Sequence, residues 1–268
     1  MSTSGKRFSE LILDDIALQL HDAVKNRKMI DPPSETHGID YAAAVEVRRR
    51  MANLLGRYAG MPCGFKLAFT SPATQELLGI RSPEFGFLFS DFKIPHGEAI
   101  EASTLCEPYA EPEVAFVMGK DLEGPGVTAD QARDAIRGVL PAIEIVDSRI
   151  GLHKARTADM VADNVLFGRM VLGDRVFGLD EVDLENTPVR ITVDGETIDS
   201  TTGHVMGNPV AAVVWLANRL AETGGREGSI SKNDIIMSGS CTKYLSVKKG
   251  SSVDADFGPM GALHLKFV

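Results

Sequence analysis

The chain has 268 residues, 44% apolar and 24% charged, with a formal net charge of −9, a composition that can bury a sizeable core and excludes fibrous and disordered classes. Acidity of this degree, with no basic stripe interleaved with aromatics, argues against nucleic acid as a partner. No apolar run approaches the ~20 residues that span a bilayer, and no secretory core with a cleavage site opens the chain, so no membrane partner and a cytoplasmic protein are expected.

Apolar residues at Phe8, Leu11, Ile12, Ile16, Leu20 and Val24 follow the three-and-four spacing of a helix with one buried stripe. A second stripe runs through Val47, Met51, Leu54, Leu55 and Tyr58. Asp31-Pro32-Pro33-Ser34 breaks the chain between them, so residues 1–60 read as two helices joined by a turn and packed on the rest. Arg48-Arg49-Arg50 cannot share one helix face, and most of this run is expected in solvent. From 61 to 268 short apolar runs broken by glycine and proline point to a β-rich body with brief helices.

Cys63, Cys106 and Cys241 are odd in number and far apart, which fits reduced thiols better than a disulfide framework or a zinc site. Ser71-Pro72 and Gly79 bracket one helix of the body, and Thr128 with Gln131 forms a capping box for a second running toward Gly138. Asn208-Pro209 open a third, which ends near Gly224 and carries Val213, Val214, Ala217 and Leu220 on its stripe. Asp194-Gly195 supplies the positive φ angles of a tight hairpin turn within 189–199. Further strands are expected at 113–118, 139–146, 234–238 and 262–268, giving an α+β class.

The chemical signal begins at Glu107-Pro108-Tyr109-Ala110-Glu111-Pro112-Glu113. In an extended chain Glu111 and Glu113 point to one side, with Cα atoms about 6.5 Å apart. Glu144 lies inside the apolar run from Val139 to Val146, where an ionised carboxylate needs a cation, hydrogen bonds or a raised pKa. Mg²⁺ or Mn²⁺ would satisfy all three acids, because oxygen donors without histidine or thiolate favour those ions over zinc. Spacing alone leaves another reading open, with Glu111 and Glu113 on a solvated strand face and Glu144 paired to Arg149 or Lys154. His37, His96, His153, His204 and His264 show no metal spacing, and Cys241 has no activating base nearby in sequence.

Several segments together carry a resemblance: Gly64-Phe65-Lys66-Leu67-Ala68-Phe69-Thr70-Ser71, Glu111-Pro112-Glu113, the run from Pro141 to Ile150, Val161-Ala162-Asp163-Asn164, Gly207-Asn208-Pro209 and Trp215-Leu216-Ala217-Asn218. In order and over nearly the whole chain, they resemble the 2-keto-4-pentenoate hydratase and 2-oxo-3-hexenedioate decarboxylase family of the fumarylacetoacetate hydrolase superfamily. The resemblance implies a mixed β-roll of the fumarylacetoacetate hydrolase C-terminal type with an N-terminal helical segment. It places metal ligands on Glu111, Glu113 and Glu144 and the active-site lysine on Lys66. Glu84 falls where the family usually has an aspartate and is a candidate proton relay. Thr70, Ser71, Ser240 and Thr242 are candidate substrate contacts, with Ser71 also suited to cap a helix. Val165-Leu166-Phe167 and Lys243-Tyr244-Leu245 depart from the small or proline-containing residues usual there, and both bear on pocket shape.

The activity implied is a metal-dependent hydratase adding water to a 2-hydroxypenta-2,4-dienoate-type acid, to give a 4-hydroxy-2-oxo acid in meta-cleavage aromatic catabolism. The first alternative is a 2-oxo-3-hexenedioate (4-oxalocrotonate) decarboxylase, and the next an acylpyruvate-type hydrolase or a non-catalytic assembly subunit. Family hydrolases usually employ a histidine–glutamate pair in the N-terminal helices, and none is apparent near Glu46. The partners implied are a small 2-oxo or 2-hydroxydienoate acid and further copies of the chain in a homo-oligomer, with a related decarboxylase or hydratase subunit as another candidate.

Overall fold

A computed structural model describes residues 8–224 and 228–268. The N-terminal stripes form α1 (Glu10–Asn26) and α3 (Tyr41–Tyr58), capped by Ser9 and Asp40, each accepting a backbone N–H three residues on. Leu13, Ile16 and Leu20 of α1 and Ala44, Val47 and Met51 of α3 are buried in the same apolar core as the strands that follow. The segment between them is more than the expected turn, because it holds a one-turn helix, α2 (Pro33–Thr36). Ser34 pins it by donating from both N and Oγ, at 2.6 Å each, to the buried carboxylate of Asp159.

The arginine run also departs from expectation. Arg48 is only 3% exposed, because it continues the inward stripe of Ala44 and Met51, and its guanidinium reaches Glu84 at 3.2 Å. Arg49 and Arg50 lie off that stripe and pair with Glu46.

The remaining described α-helices are α4 (Pro72–Leu78), α5 (Ala129–Ala135), α6 (Thr157–Ala162) and α7 (Val210–Thr223). Ser71 and Gly79 cap α4 as the sequence indicates, and Thr128 with Gln131 makes the full capping box of α5. That helix stops short of Gly138, since Ile136 already pairs with Met118 in a strand. On α7 the buried stripe is Val213, Leu216, Ala217 and Leu220, with Val214 only half-buried.

The strands in chain order are β1 (Pro62–Ala68), β2 (Glu84–Phe89), β3 (Lys93–Ile94), β4 (Ala99–Ile100), β5 (Pro108–Met118), β6 (Leu122–Glu123), β7 (Ile136–Asp147) and β8 (Phe167–Leu172). They continue with β9 (Pro188–Val193), β10 (Glu196–Thr201), β11 (Ser229–Ile230), β12 (Ile235–Ser240), β13 (Leu245–Ser246), β14 (Ser252–Asp256) and β15 (Ala262–Phe267). An eight-stranded sheet runs β2-β1-β12-β5-β7-β8-β3, with β13 also on β5. It is mixed, because β1–β12 and β3–β8 are parallel and the other pairs antiparallel. A five-stranded sheet, β10-β9-β14-β15-β4, includes the hairpin turned by Asp194 and Gly195 at φ 51° and 92°. β6 and β11 form a separate pair. No helix among the described residues is long and apolar enough to cross a membrane.

β5 and β7 form the centre of the larger sheet and are buried on both faces over most of their length, which is why their sequences read as nearly continuous apolar runs. The loop leaving β7 is locked by Arg149, 1% exposed, whose Nη2 stands 2.8 Å from Asp163 Oδ1 and whose Nη1 donates to the Phe167 carbonyl at 2.9 Å. Removing one partner of such a pair strands the other charge in low dielectric. Asp163→Ala should therefore lower stability by about 3–5 kcal/mol in urea unfolding. A loss below about 1 kcal/mol, typical of an exposed pair, would contradict this role for the cluster.

Candidate active site

Alternation along β5 puts Tyr109, Glu111 and Glu113 on one side, and the antiparallel register sets Glu144 of β7 directly opposite Glu111. One carboxylate oxygen from each of Glu111, Glu113 and Glu144 lies within 4.8 Å of the others. Glu113 and Glu144 are fully buried and Glu111 half-buried, so the solvated strand face is ruled out. Arg149 is engaged by Asp163, and the cation that meets Glu144 is instead Lys66, with Nζ 3.1 Å from Oε1. β1 and β7 are three strands apart, a separation of roughly 14 Å in a flat sheet. Contact between their side chains therefore requires the sheet to curl strongly, with Lys66 and the three acids on its inner side.

Three carboxylates against one ammonium leave two negative charges when all are ionised. Glu113 Oε2 accepts the Gly239 N–H at 2.9 Å, but among the described residues Glu113 Oε1 and Glu144 Oε2 have no partner, and Glu144 Oε1 has only its ion pair with Lys66. Desolvation, reinforced by Glu144 and opposed by Lys66, pushes Glu111 up to about 7. Desolvation and the carboxylates of Glu144 and Glu111 hold Glu113 well above its ordinary range. Buried oxygens without partners, hard donors and a deficit of two positive charges fit a divalent cation such as Mg²⁺ or Mn²⁺.

Lys66 is 2% exposed, and its hydrogen bond goes to the Val165 carbonyl at 3.0 Å. That carbonyl is presented by three successive non-glycine residues in the left-handed region, Asn164, Val165 and Leu166, at φ 51°, 50° and 61°. Such backbone costs on the order of 1–3 kcal/mol per residue and persists only where its surroundings enforce it. The Asn164 side chain does so, accepting from Phe87 N at 2.8 Å and donating to the Phe87 carbonyl at 2.9 Å. Gly86 makes room, since a Cβ there would stand 2.6 Å from the Asn164 carbonyl oxygen.

Glu84 is buried, but its oxygens are taken by Tyr41 and Arg48, and Arg219 donates to the Tyr41 hydroxyl at 3.2 Å. Its bonds thus run to α3 and, through Tyr41, to α7, rather than to the three acids. Thr70 packs on Gly239, where a Cβ would come 2.5 Å from Thr70 Oγ1, and so borders the backbone that holds Glu113. Ser240 is the register partner of Glu113. The Ser71 hydroxyl caps α4 through Thr74 N at 3.2 Å, and Thr242 donates to the Lys243 carbonyl at 2.7 Å. Cys241 is buried and its thiol is pushed up by burial and Glu113, the opposite of nucleophile activation. Glu46 pairs with arginines, not histidine. Sequence reading missed the parts played by Tyr41, Arg48, Gly239 and the Val165 carbonyl; Asp163-Asn164 and the glycines at 86 and 239 were their visible traces.

Residues 71–268 match the fumarylacetoacetate (FAA) hydrolase C-terminal family. The chain is 32% identical over 257 residues to a 4-oxalocrotonate decarboxylase of Pseudomonas putida, covering 96% of this chain and 94% of that protein. It is 35% identical over 216 residues to a 2-hydroxypent-2,4-dienoate hydratase of Pseudomonas putida, covering 80% of this chain and 97% of that one. The solved 4-oxalocrotonate decarboxylase from Pseudomonas putida G7, complexed with magnesium and adipate, superposes with a TM-score of 0.93 at 28% identity, covering 98% of this chain and 100% of that one. Sequence and architecture agree that this chain belongs to the FAA hydrolase C-terminal family and has its fold.

Proposed function

We propose that the chain is a divalent-metal-dependent hydratase that adds water to a 2-hydroxypenta-2,4-dienoate-type acid, giving a 4-hydroxy-2-oxo acid. The observation that carries this reading is the clustered trio Glu111, Glu113 and Glu144, two of them fully buried, with Glu113 Oε1 and Glu144 Oε2 unpartnered among the described residues beside Lys66. Relatives named as 2-hydroxypent-2,4-dienoate and 2-keto-4-pentenoate hydratases support it. The three acids would hold Mg²⁺ or Mn²⁺, which when bound supplies Lewis acidity to a chelating 2-oxo acid.

The protein's own residues handle protons. In the net reaction the 2-hydroxyl gives up a proton and C5 gains one, after which water delivers hydroxyl to C4 and a proton to C3. Lys66, fixed by the Val165 carbonyl, is the ammonium placed beside the acids to exchange those protons. Glu84 keeps a place in this proposal as a candidate relay on the family resemblance alone, since its own bonds run to Tyr41 and Arg48. Thr70 and Ser240, on either side of Gly239, are the hydroxyls best placed to meet substrate, whereas Ser71 and Thr242 are bonded within their own turns. A homo-oligomer, association with a related subunit and a cytoplasmic setting belong to this proposal on the family resemblance.

A second reading is decarboxylation of a 2-oxo-3-hexenedioate, favoured by the superposition on the decarboxylase complex. Loss of dienoate ultraviolet absorbance with Mg²⁺, abolished by EDTA, tests the hydratase; carbon dioxide released from the diacid, with no hydration of the pentadienoate, would replace it with the decarboxylase. Glu113→Gln should reduce kcat/KM by more than the ~100-fold typical of losing an outer-shell partner. Lys66→Met should reduce kcat by roughly 100- to 10,000-fold. Retention of wild-type rates in both variants would remove these residues from the mechanism.

Metal binding should also track pH. Between 4.5, the ordinary value, and about 7 the metal-free native protein keeps a Glu111 proton that the unfolded chain has released. This group's contribution to metal-free stability therefore falls as pH rises through that window, while the anion needed by a cation accumulates. The rise in Tm caused by Mg²⁺ should accordingly be larger at pH 8 than at pH 5.5, and lost in Glu113→Gln. An increment independent of pH, or one that survives in the variant, would place the ion elsewhere.

A further inference from the structure

Exposure along β5 rises in one direction. Glu113 to Met118 are buried, whereas Glu111 and then Tyr109 are half-buried. Tyr109 is thus the open end of this strand face, the side from which a ligand of the three acids would enter and toward which its far end would point. Val146 is the register partner of Tyr109, the next rung on the face that carries Glu111 and Glu144, about 6.6 Å along the strands. That distance is roughly five carbon–carbon bonds of an extended chain, each advancing ~1.3 Å of the 1.52 Å bond. Around this rung lies an apolar cluster separate from the main core: Val146, Met160 and Leu166 are buried, with Phe69, Leu78 and Tyr109 packed against them. Leu166 follows the Val165 carbonyl that holds Lys66, so the cluster borders the lysine as well as the acids.

We infer that this cluster is a tail subsite, selecting 2-oxo or 2-hydroxydienoate monoacids with an apolar far end and disfavouring a second carboxylate. The inference rests on the proposed function and narrows its substrate. The polar group bonded at the rim is itself acidic: the Tyr109 hydroxyl donates to Glu107 Oε1 at 2.9 Å, and Glu107 Oε2 accepts Leu152 N at 2.8 Å. A distal carboxylate within the cluster would meet apolar side chains and a like charge, while the cations on either side of Ala155 at its edge, Lys154 and Arg156, are exposed. An alkyl tail would instead be removed from water, worth about fourfold in affinity per buried methylene. Tyr244, 50% exposed, stacks edge-on against Tyr109 at 5.0 Å and extends the apolar wall outward.

Calorimetric titration of the Mg²⁺-loaded protein with 2-oxobutanoate, 2-oxohexanoate, 2-oxooctanoate and 2-oxoadipate reads the subsite without turnover. Kd should fall along the monoacid series by up to about fourfold per methylene, and 2-oxoadipate should bind at least about tenfold more weakly than 2-oxohexanoate. Leu166→Ser should flatten the chain-length dependence, and Tyr244→Ala, at an exposed position, should do so in part even if the first variant misfolds. Equal or tighter binding of 2-oxoadipate, as would follow if exposed Lys154 or Arg156 captured its second carboxylate, overturns the inference. So does a Kd indifferent to chain length. Failure of 2-oxobutanoate itself to bind would instead overturn the proposed function, and the tail subsite with it.

Discussion

Two of the three carboxylates in the site are sealed from water, and one oxygen of each comes within 4.8 Å of the others. Ionising all three at such separations is opposed both by desolvation and by mutual repulsion. Lys66 cancels one charge and leaves two, together with Glu113 Oε1 and Glu144 Oε2, which no donor among the described residues reaches. The site is electrostatically incomplete as a purely protein arrangement, and a hard divalent ion would supply the missing charge and coordination at once.

The fold holds this costly group in place by rigidity on two sides. Long antiparallel pairing of β5 with β7 fixes Glu111 opposite Glu144, so the acids cannot drift apart without breaking a central ladder. On the other side, curling of the sheet brings Lys66 across, and the left-handed turn at 164–166 aims a carbonyl at its ammonium. Asn164, clamped to both polar groups of the Phe87 backbone, sustains that turn, while Asp163 beside it neutralises Arg149. Strain and buried charge thus concentrate within a few residues of the lysine, where the proposed proton transfer would need fixed geometry.

Local signals were legible in the amino-acid sequence because their physics is local. Caps at Ser71 and Thr128, the Asp194-Gly195 turn and the alternation that sets Glu111 with Glu113 each depend on neighbours a few positions away. The family resemblance extended this to Glu144 and Lys66, and the structure brings both to the same side of the curled sheet. What could not be read depends on distant partners. Arg48 of α3 is buried because Glu84 and Phe85 of β2 receive it, and α2 forms where Asp159 of a later helix accepts Ser34. The stretches around Val165 and Tyr244, visible in sequence only as departures in bulk, meet at Tyr109 through the curl of the sheet.

The most direct measurement is anomalous diffraction from crystals of the protein grown or soaked with Mn²⁺. A single strong peak per chain, about 2.0–2.2 Å from carboxylate oxygens of Glu111, Glu113 and Glu144, is the predicted result. A well-ordered structure from Mn²⁺-saturated crystals with no peak among those three side chains would contradict the account at its centre.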